Sequence, residues 1–314
     1  MRRAVAVGII LCIAAPVLTS CGQSDNSAAD RQTADQIRKQ AEARALERRA
    51  LEAQAQREEA AARAALTANP VAEPAAQGFE ALAAKLPGQQ GLAVAAIAPG
   101  AGRLQVTIAG DLSGGVAWST AKAPVAMAAI AAGTGSQATL RSAITASDNA
   151  AAEQLWSGLG GGNQASQAAD AQLRASGDRN TAMQSQRLRA GFTPFGQTAW
   201  SLADQVTFLA GMQCSRQGQE VLSLMQQVVP AQRWGLSNVG TSPRFKGGWG
   251  PGVSPGIAGP WLERQMGIVS MPSGDFAVAI ASAGGDHQTG IEALNQISSW
   301  LSSDLGTREA GRGC

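Results

Sequence analysis

The order of apolar and polar positions predicts a folded body with strands near both of its ends. Two apolar runs, residues 91–98 and 104–109, flank a Pro-Gly-Ala-Gly turn and indicate a β-hairpin. Further along the chain, residues 265–271 and 276–282 indicate a second pair of strands, which a Pro-Ser-Gly-Asp segment joins.

Helical patterns fill the interval between these strand pairs and follow the second pair. Apolar residues recur at helical spacing in five stretches. These stretches are residues 119–132, 140–159, 201–212, 218–229 and 291–305. Strands at both ends with helices inserted between them predict an α/β or α+β body.

The first twenty residues have the pattern of an export signal. Arg2 and Arg3 precede an apolar run, residues 4–17, that is too short to span a bilayer comfortably. The run ends in Leu-Thr-Ser-Cys, which resembles a bacterial lipoprotein box; a plain secretory signal with a chance cysteine is the alternative. By this resemblance, Cys21 is expected to carry lipid, with palmitate as a further acyl chain, and to anchor the exported chain to the cell membrane, facing outward.

The segment after the signal differs in composition from the rest of the chain. Residues 30–66 consist largely of Ala, Glu, Arg and Gln, and their leucines are too irregular for a coiled coil. We expect a polar stalk, either helical or disordered. The predicted organisation is a signal over residues 1–20, an anchor and stalk over 21–77, and one domain over 78–314.

Charge and composition remove several classes of function. The formal net charge is +2, and basic residues alternate with acidic ones, which argues against a nucleic-acid partner. The chain has one histidine, so a zinc site built on several histidines is excluded. That residue, His287, lies in a polar segment and is interpreted as a solvated loop residue rather than as part of a Ser-His-Asp triad. We expect neither a metal nor a cofactor.

The cysteines leave two interpretations open. Cys12 lies in the signal and Cys21 in the lipoprotein box, so Cys214 and Cys314 remain. A disulfide between these two would hold the carboxyl terminus to the body of an exported protein. Two unpaired thiols are the alternative, since Cys314 is the last residue of the sequence.

The lysines are informative because arginine fills nearly every other cationic position. The chain holds 25 Lys plus Arg, of which four are lysines: Lys39, Lys85, Lys122 and Lys246. Arginine stays protonated at any useful pH, whereas a buried lysine can lose its proton and act as a base. Lys122 follows Ser119 by three residues, and Lys246 begins a Lys-Gly-Gly run. A lysine-dependent serine hydrolase needs lysines in these two places.

Three short motifs occur in order along the body. They are Ser119-Thr120-Ala121-Lys122, Ser147-Asp148-Asn149 and Lys246-Gly247-Gly248. Their order and flanks resemble the penicillin-recognising serine hydrolases, class A β-lactamases in particular. The resemblance covers roughly residues 91–305 and implies an antiparallel sheet flanked by helices, with a trimmed helical domain inserted. Taken singly, each motif is also compatible with a helix cap, a turn or a glycine-rich loop.

The resemblance implies a serine nucleophile that a lysine activates. Ser119 would attack a substrate carbonyl after Lys122 takes its proton. Lys122 can act as a base only if burial and a neighbouring cation, Lys246, lower its pKa. Ser147 would bridge the two amines and pass a proton to the leaving nitrogen.

The resemblance also implies which groups bind the substrate. The Asn149 side-chain amide would hold the acyl-amide group. Backbone N–H groups of Ser119 and Trp249 would form an oxyanion hole, and Gly248 would let the strand edge approach the substrate. Gly247 lies where the family has a threonine or serine that helps to hold a substrate carboxylate. Arg244, on the same strand face as Lys246, is the candidate to bind the carboxylate in place of the missing hydroxyl.

A second departure from the family concerns deacylation. Class A β-lactamases place a glutamate in the loop after the second motif to activate water, and residues 179–203 contain no carboxylate. Gln184, Gln186, Arg187 and Arg189 occupy this loop instead, and a glutamine cannot accept a proton at neutral pH. We therefore expect weak or no β-lactam turnover.

The predicted function is that of a monomeric envelope lipoprotein with serine acyl-hydrolase activity. Its partners would be a small molecule or peptidoglycan-derived peptide, with a peptide, amide or ester bond to cleave, and the membrane through the lipid anchor. The alternative is a retired hydrolase, whose fold serves as an envelope binding or scaffolding module.

Overall fold

The computed structural model describes residues 74–97 and 104–311, together with Lys39 and Glu42. The chain divides into two compact units, residues 1–61 and 62–314. The predicted signal, Cys21, Cys314 and nearly all of the predicted stalk lie outside the described residues. Within the described part of the chain, no helix has both the length and the apolar character needed to cross a bilayer.

The second unit contains α-helices, β-strands and short 3-10 turns. The helices are α1 Pro74–Ala83, α2 Lys122–Ala132, α3 Gln137–Thr145, α4 Asn149–Gly158, α5 Gly162–Ala175, α6 Leu202–Met212, α7 Arg216–Met225 and α8 His287–Leu305. The strands are β1 Gln89–Ala96, β2 Thr107–Gly110, β3 Gly114–Val116, β4 Ala199–Ser201, β5 Thr241–Pro251, β6 Trp261–Met271 and β7 Gly274–Ala283. The 3-10 turns are Trp118–Ala121, Phe195–Gln197, Pro230–Gln232 and Gly235–Asn238.

Five strands form one antiparallel sheet in the order β2-β1-β7-β6-β5, and β3 pairs with β4 separately. The predicted α/β or α+β class is confirmed. Both predicted strand pairs form: Leu92 lies opposite Ala109, and Met271 lies opposite Gly274. The turn between the first pair lies largely outside the described residues. β5, which carries the Lys-Gly-Gly motif, is an edge strand of the sheet.

The sheet separates two hydrophobic cores. In β1, Ala93 and Ala95 pack into the core beneath α2 to α7, whereas Leu92 and Val94 pack into the core beneath α1 and α8. Successive strand residues point to opposite faces, so a strand covered on both faces needs apolar residues at every position. This double burial explains the uninterrupted apolar runs in the sequence.

The predicted helix over residues 140–159 is wrong. The structure has two helices, α3 and α4, that are separated by Ala146, Ser147 and Asp148. Ser147 has a φ of 58°, which an α-helix does not accommodate, and the Asp148 side chain caps α4. Helical spacing continues across the break, so periodicity alone did not reveal it.

Other boundaries also differ from the prediction. The helix predicted over residues 119–132 begins as a 3-10 turn, and regular α-helix starts at Lys122. The helix predicted over residues 218–229 runs instead from Arg216 to Met225. Helix α5 was not predicted, because its Ala, Gln and Ser residues give a weak apolar pattern.

Candidate active site

Ser119 lies in the 3-10 turn that connects β3 to α2, and its side chain is half-buried. Trp118, the preceding residue, has a φ of 48°, a left-handed conformation that is uncommon for a bulky side chain. The turn lies against β5 at Gly248. A Cβ atom at Gly248 would lie 2.8 Å from the Ser119 nitrogen. Glycine at this position therefore lets the edge strand approach the turn; the predicted approach of Gly248 to a substrate stays a prediction.

Two lysine amines meet at the hydroxyl of Ser147. Lys122 Nζ lies 3.1 Å from Ser147 Oγ and also donates to the Ser147 carbonyl at 2.5 Å and to Asn149 Oδ1 at 2.8 Å. Lys246 Nζ lies 2.8 Å from the same Oγ and donates to the Gly247 carbonyl at 2.9 Å. Lys122 is 1% exposed and Lys246 is fully buried. Residues from all three motifs thus share one hydrogen-bonded cluster.

The break between α3 and α4 places Ser147 in this cluster. Asp148 accepts hydrogen bonds from the Ala150 and Ala151 nitrogens at 2.7 and 3.1 Å, so it begins α4. The Ser142 hydroxyl donates to the same carboxylate at 3.1 Å. These bonds, chiefly the one from Ala151, lower the pKa of Asp148. In the second motif, therefore, the aspartate organises the backbone while Ser147 and Asn149 contact Lys122.

Burial changes the proton affinity of both amines. It lowers the pKa of Lys122 to about 7, although the negative charge of Asp148 partly opposes this shift. Burial also lowers the pKa of Lys246 well below its usual value, and the charge of Lys122 lowers it further. Two ammonium groups in one desolvated cluster repel each other, so a neutral amine becomes available near neutral pH.

A buried arginine supports the turn that carries Ser119. Arg264, on β6, is fully buried and donates to the Gly115, Val116 and Trp200 carbonyls at 2.9, 3.0 and 3.1 Å. It also donates to Gln205 Oε1 at 2.6 Å, and Gln205 in turn donates to Thr120 Oγ1 at 2.9 Å. Burial lowers the pKa of Arg264 to about 9. The sequence analysis missed this network, because Arg264 lies within an otherwise ordinary strand pattern.

The loop that lacks a glutamate is held by its own polar residues. Gln184 Oε1 accepts from the Gln186 nitrogen at 2.9 Å. Arg187 forms an ion pair with Glu153 of α4 at 2.7 Å, and Arg189 donates to the Pro251 carbonyl of β5 at 2.5 Å. These side chains tie the loop to the elements on either side of it.

Arg244 is engaged elsewhere than at the motif cluster. Its guanidinium pairs with Asp275 at 3.2 Å, and both residues line a surface cleft of about 440 Å³ with Gln213. Neither this cleft nor a second one of about 580 Å³ includes a motif residue in its lining. The structure therefore does not support Arg244 as a replacement for the hydroxyl missing at Gly247.

The interpretation of His287 as a solvated loop residue is wrong. His287 begins α8, and its Nδ1 lies 2.7 Å from Oε2 of the buried Glu263. Its ring is stacked on Trp249, with ring centres 5.3 Å apart, and Trp261 lies 5.9 Å away. Short polar residues around His287 suggested a loop, but Asp286 uses such a side chain to cap the helix.

Cys214 follows α6 and is disulfide-bonded. Its partner lies outside the described residues, so the pairing with Cys314 stays a prediction. Two hydrogen bonds hold Gly311, the last described residue, beside the ends of β1 and β7. Gly311 donates to the Ile97 carbonyl at 2.7 Å and accepts from the Asp275 nitrogen at 2.8 Å.

The sequence matches no protein-family model and no curated protein. Solved structures, by contrast, match along most of the chain. TLA-3 extended-spectrum β-lactamase shares 14% identity with a TM-score of 0.59, over 74% of this chain and 98% of that one. A variant of the class A β-lactamase of the last common ancestor of Gram-negative bacteria shares 16% identity with a TM-score of 0.56, over 75% of this chain and 99% of that one.

A third neighbour is a mutant of PBP-A, solved as an acyl-enzyme complex with penicillin G. It shares 18% identity with a TM-score of 0.54, over 74% of this chain and 97% of that one. The chain has the fold of the penicillin-recognising serine hydrolases. In this β-lactamase-like fold, the first motif runs from the 3-10 turn into the start of α2, the second joins α3 to α4, and the third lies on β5. The predicted resemblance is therefore confirmed for the fold.

Proposed function

We propose that this β-lactamase-like domain is a serine acyl-hydrolase that forms an acyl-enzyme at Ser119. Its substrate would be a small molecule or an envelope-derived peptide with a peptide, amide or ester bond. The observation that carries the proposal is the pair of buried amines of Lys122 and Lys246 around Ser147 Oγ. Burying two amines without a carboxylate between them is costly for structure alone, so it favours a role in proton transfer.

Acylation would follow from this arrangement. The neutral Lys122 amine accepts the Ser119 Oγ proton as Oγ forms a bond to the substrate's carbonyl carbon. Backbone N–H groups of Ser119 and Trp249 stabilise the resulting oxyanion. The Lys122 ammonium then returns one proton through Ser147 Oγ to the leaving nitrogen or oxygen as its bond to the carbonyl carbon breaks.

Deacylation would be the slow half of the reaction for β-lactams. Water must lose a proton to attack the acyl ester, and the loop over residues 179–203 supplies no carboxylate to accept it. Arg187 and Arg189 are engaged with Glu153 and Pro251, and neither can serve as a base. A penicillin is therefore expected to leave a persistent adduct rather than to turn over.

Labelling of the purified full chain tests the proposal. A fluorescent penicillin and a fluorophosphonate probe are applied to the native protein and to Ser119→Ala and Lys122→Arg variants, with circular dichroism to check folding. We expect a stoichiometric adduct in the native protein, none in the first variant and at least about a hundredfold slower labelling in the second. Nitrocefin turnover is expected to be negligible. If neither probe labels Ser119, the acyl-hydrolase proposal is wrong.

The alternative function is that of an envelope binding or scaffolding module with a retired site. The carboxylate-free loop and Gly247 favour it, whereas the two buried amines oppose it. Complementation separates the two. Two results together would establish the scaffold. The Ser119→Ala chain would restore every phenotype of a deletion strain, and no probe would label the native protein.

For the localisation, we propose export and lipid attachment at Cys21, on the basis of the export-signal pattern and the Leu-Thr-Ser-Cys box. Metabolic labelling with a palmitate analogue is expected to mark the native chain and not a Cys21→Ala variant. Partition of the variant into the detergent phase to the same extent as the native chain would contradict the proposal.

A further inference from the structure

A second polar cluster adjoins the motif cluster on the opposite face of β5. Trp249 and Lys246 are three positions apart on the strand, so their side chains point to opposite faces. The Trp249 ring would lie 3.4 Å from a Cβ atom at Gly247. Around it stand Trp234, Trp261, His287 and Glu263, which together with Trp249 we name the tryptophan–histidine cluster.

Hydrogen bonds fix the orientation of the imidazole. Trp261 Nε1 donates to Glu263 Oε2 at 3.1 Å, and His287 Nδ1 lies 2.7 Å from the same oxygen. An indole N–H can only donate, so Oε2 accepts from Trp261. We assign to His287 the tautomer in which Nδ1–H donates to the same oxygen. Burial lowers the pKa of His287, which favours the neutral ring. A neutral ring with Nδ1 protonated has an unprotonated Nε2 that accepts hydrogen bonds.

The His287 imidazole reaches the surface while the Glu263 carboxylate does not. The His287 side chain is 43% exposed, whereas that of Glu263 is fully buried. Since Nδ1 faces the buried Glu263, we assign the exposed part of the ring to the opposite edge, which carries Nε2. The other carboxylate oxygen, Oε1, is buried and has no hydrogen-bond partner among the described residues.

Within the described part of the chain, no lysine or arginine pairs with the Glu263 carboxylate. Asp286 caps α8 beside His287 and is itself acidic. On β5, the Lys246 amine bonds to Ser147 and Gly247. The Arg264 guanidinium bonds to carbonyl groups and Gln205. Burial raises the pKa of Glu263 to about 8, so its charge develops as the pH approaches that value.

We propose that the tryptophan–histidine cluster receives a primary ammonium group of the acyl substrate. His287 Nε2 accepts one of its N–H groups, the faces of Trp249 and Trp261 border the cation, and Glu263 provides the buried negative charge. The site differs from one for a carboxylate, because Gly247 offers no hydroxyl and Arg244 is paired with Asp275. This inference rests on the proposed function and specifies its substrate class.

The single histidine of the chain makes the site directly observable. Full-length Ser119→Ala protein, labelled with ¹⁵N, gives one imidazole spin system, and the absence of the nucleophile prevents acylation. Three probes are added: the methylamides of Nα-acetyl-lysine, Nα-acetyl-norleucine and Nα-acetyl-glutamate. We expect the lysine probe to shift the His287 signals and to bind about tenfold more tightly than the norleucine probe. Its affinity should rise as the pH increases through about 8, because Glu263 then ionises.

Two variants separate the charge of the site from its shape. Glu263→Gln keeps an oxygen that can accept from Trp261 and His287 but removes the charge, so the preference for lysine should fall to about twofold or less and lose its pH dependence. Asp286→Asn removes a neighbouring charge while keeping the helix cap, and it should retain most of the preference.

The inference is overturned if the lysine and norleucine probes bind equally or if the glutamate probe binds best. Nitrogen shifts that place the proton on Nε2 of the free protein would also overturn it. Because binding is measured without Ser119, a protein that fails to acylate can still pass this test. Failure here, conversely, leaves acylation at Ser119 intact.

Discussion

Desolvation of one amine makes the candidate chemistry possible. Lysine in water keeps its proton at neutral pH, with a pKa near 10.5, whereas burial in the cluster lowers the pKa of Lys122 to about 7. The hydrogen bonds of Lys122 to Ser147 and Asn149 hold the amine within the cluster. The same burial lowers the pKa of Lys246. The charge of Lys122 lowers the pKa of Lys246 further, so the proton affinity of Lys246 depends on a residue of another motif.

The pH dependence of Ser119 acylation follows from the Lys122 pKa. Only the neutral amine accepts a proton, so the labelling rate should fall about tenfold for each pH unit below about 7 and level off above it. Stopped-time labelling with a fluorophosphonate across this range measures the profile. A rate that is flat across it, or that still rises steeply between about 8 and 10, would mean that another group is the base.

Because β5 approaches the nucleophile turn closely at Gly248, adding one methyl group there should lower the stability of the protein markedly. In Gly248→Ala, the new Cβ would lie within 3 Å of backbone atoms of Ala117, Ser119 and Thr120, which cannot move independently. We expect a loss of about 1–3 kcal/mol in the free energy of unfolding and a displaced nucleophile turn.

Gly247→Ala on the same strand is the matched control for stability. Its Cβ would make ordinary contacts with Trp249 and Trp234 at 3.4 and 3.6 Å. Denaturant unfolding should show a change of less than about 1 kcal/mol for this variant. Equal losses in the two variants would indicate that a general cost of substitution, not the contact with the turn, sets the effect.

At the scale of elements, the site depends on the break between helices α3 and α4. Ser147 reaches both amines because α3 ends before it and α4 begins after it. The cap by Asp148 sets the start of α4, and the left-handed φ of Ser147 turns the chain between the helices. The hydrogen bonds of Arg264 have a comparable role at Ser119, because they hold the turn that precedes α2.

Replacing the cap tests this account. Asp148→Ala should lower the free energy of unfolding by about 1 kcal/mol, because two N–H groups at the start of α4 lose their acceptor. Asp148→Asn keeps a capping oxygen and should lose only a few tenths of that value. Thermal unfolding of both variants provides the comparison.

The same cap has a predicted pH dependence. Because hydrogen bonds lower the Asp148 pKa in the folded chain, its charge adds stability above the unfolded pKa, and this contribution is lost as the pH falls through the folded value. The difference in stability between the native chain and Asp148→Asn should therefore shrink below about pH 4. A difference that grows in acid would contradict the assigned role.

At the scale of the whole molecule, the sheet joins distant parts of the sequence. β1 pairs with β7, and Gly311, near the end of the described chain, bonds to residues of both the first and last hairpins. The residue before Cys214, Gln213, lines the same cleft as Asp275, which also bonds to Gly311. Cys214 therefore follows a residue that shares a cleft with Asp275, the hydrogen-bond partner of Gly311, which is the last described residue.

This placement supports a disulfide between Cys214 and Cys314. A non-reducing tryptic digest of the protein should contain the Cys214 peptide linked to the carboxyl-terminal Gly-Cys dipeptide, identified by mass spectrometry. Cys214→Ser should lower the free energy of unfolding by about 2–4 kcal/mol, because the bond closes a long loop. Linkage of Cys214 to any other cysteine would show that the predicted pairing is wrong.

The sequence alone was sufficient for four of the five strands in the main sheet, most of the helices and the motif residues. The short apolar run over residues 276–282 follows a Pro-Ser-Gly-Asp turn, and this combination favours a buried strand; β7 contains the run. The three motifs named Ser119, Lys122, Ser147 and Lys246 because scarce lysines lay at the expected spacing from serines. Periodicity could not find the break at Ser147, since a turn of three residues preserves the helical phase approximately.

Tertiary structure decided which polar residues meet. Glu263 and Arg264 are neighbours in β6, yet the strand directs the first to His287 and the second to the nucleophile turn. No local pattern carries this information, because it depends on what packs against each face of the sheet. The proton affinities of Lys122, Lys246 and Glu263 likewise arise from burial by distant segments. The sequence determined which side chains were available for chemistry. The fold determined how far each is exposed to solvent and which groups it contacts.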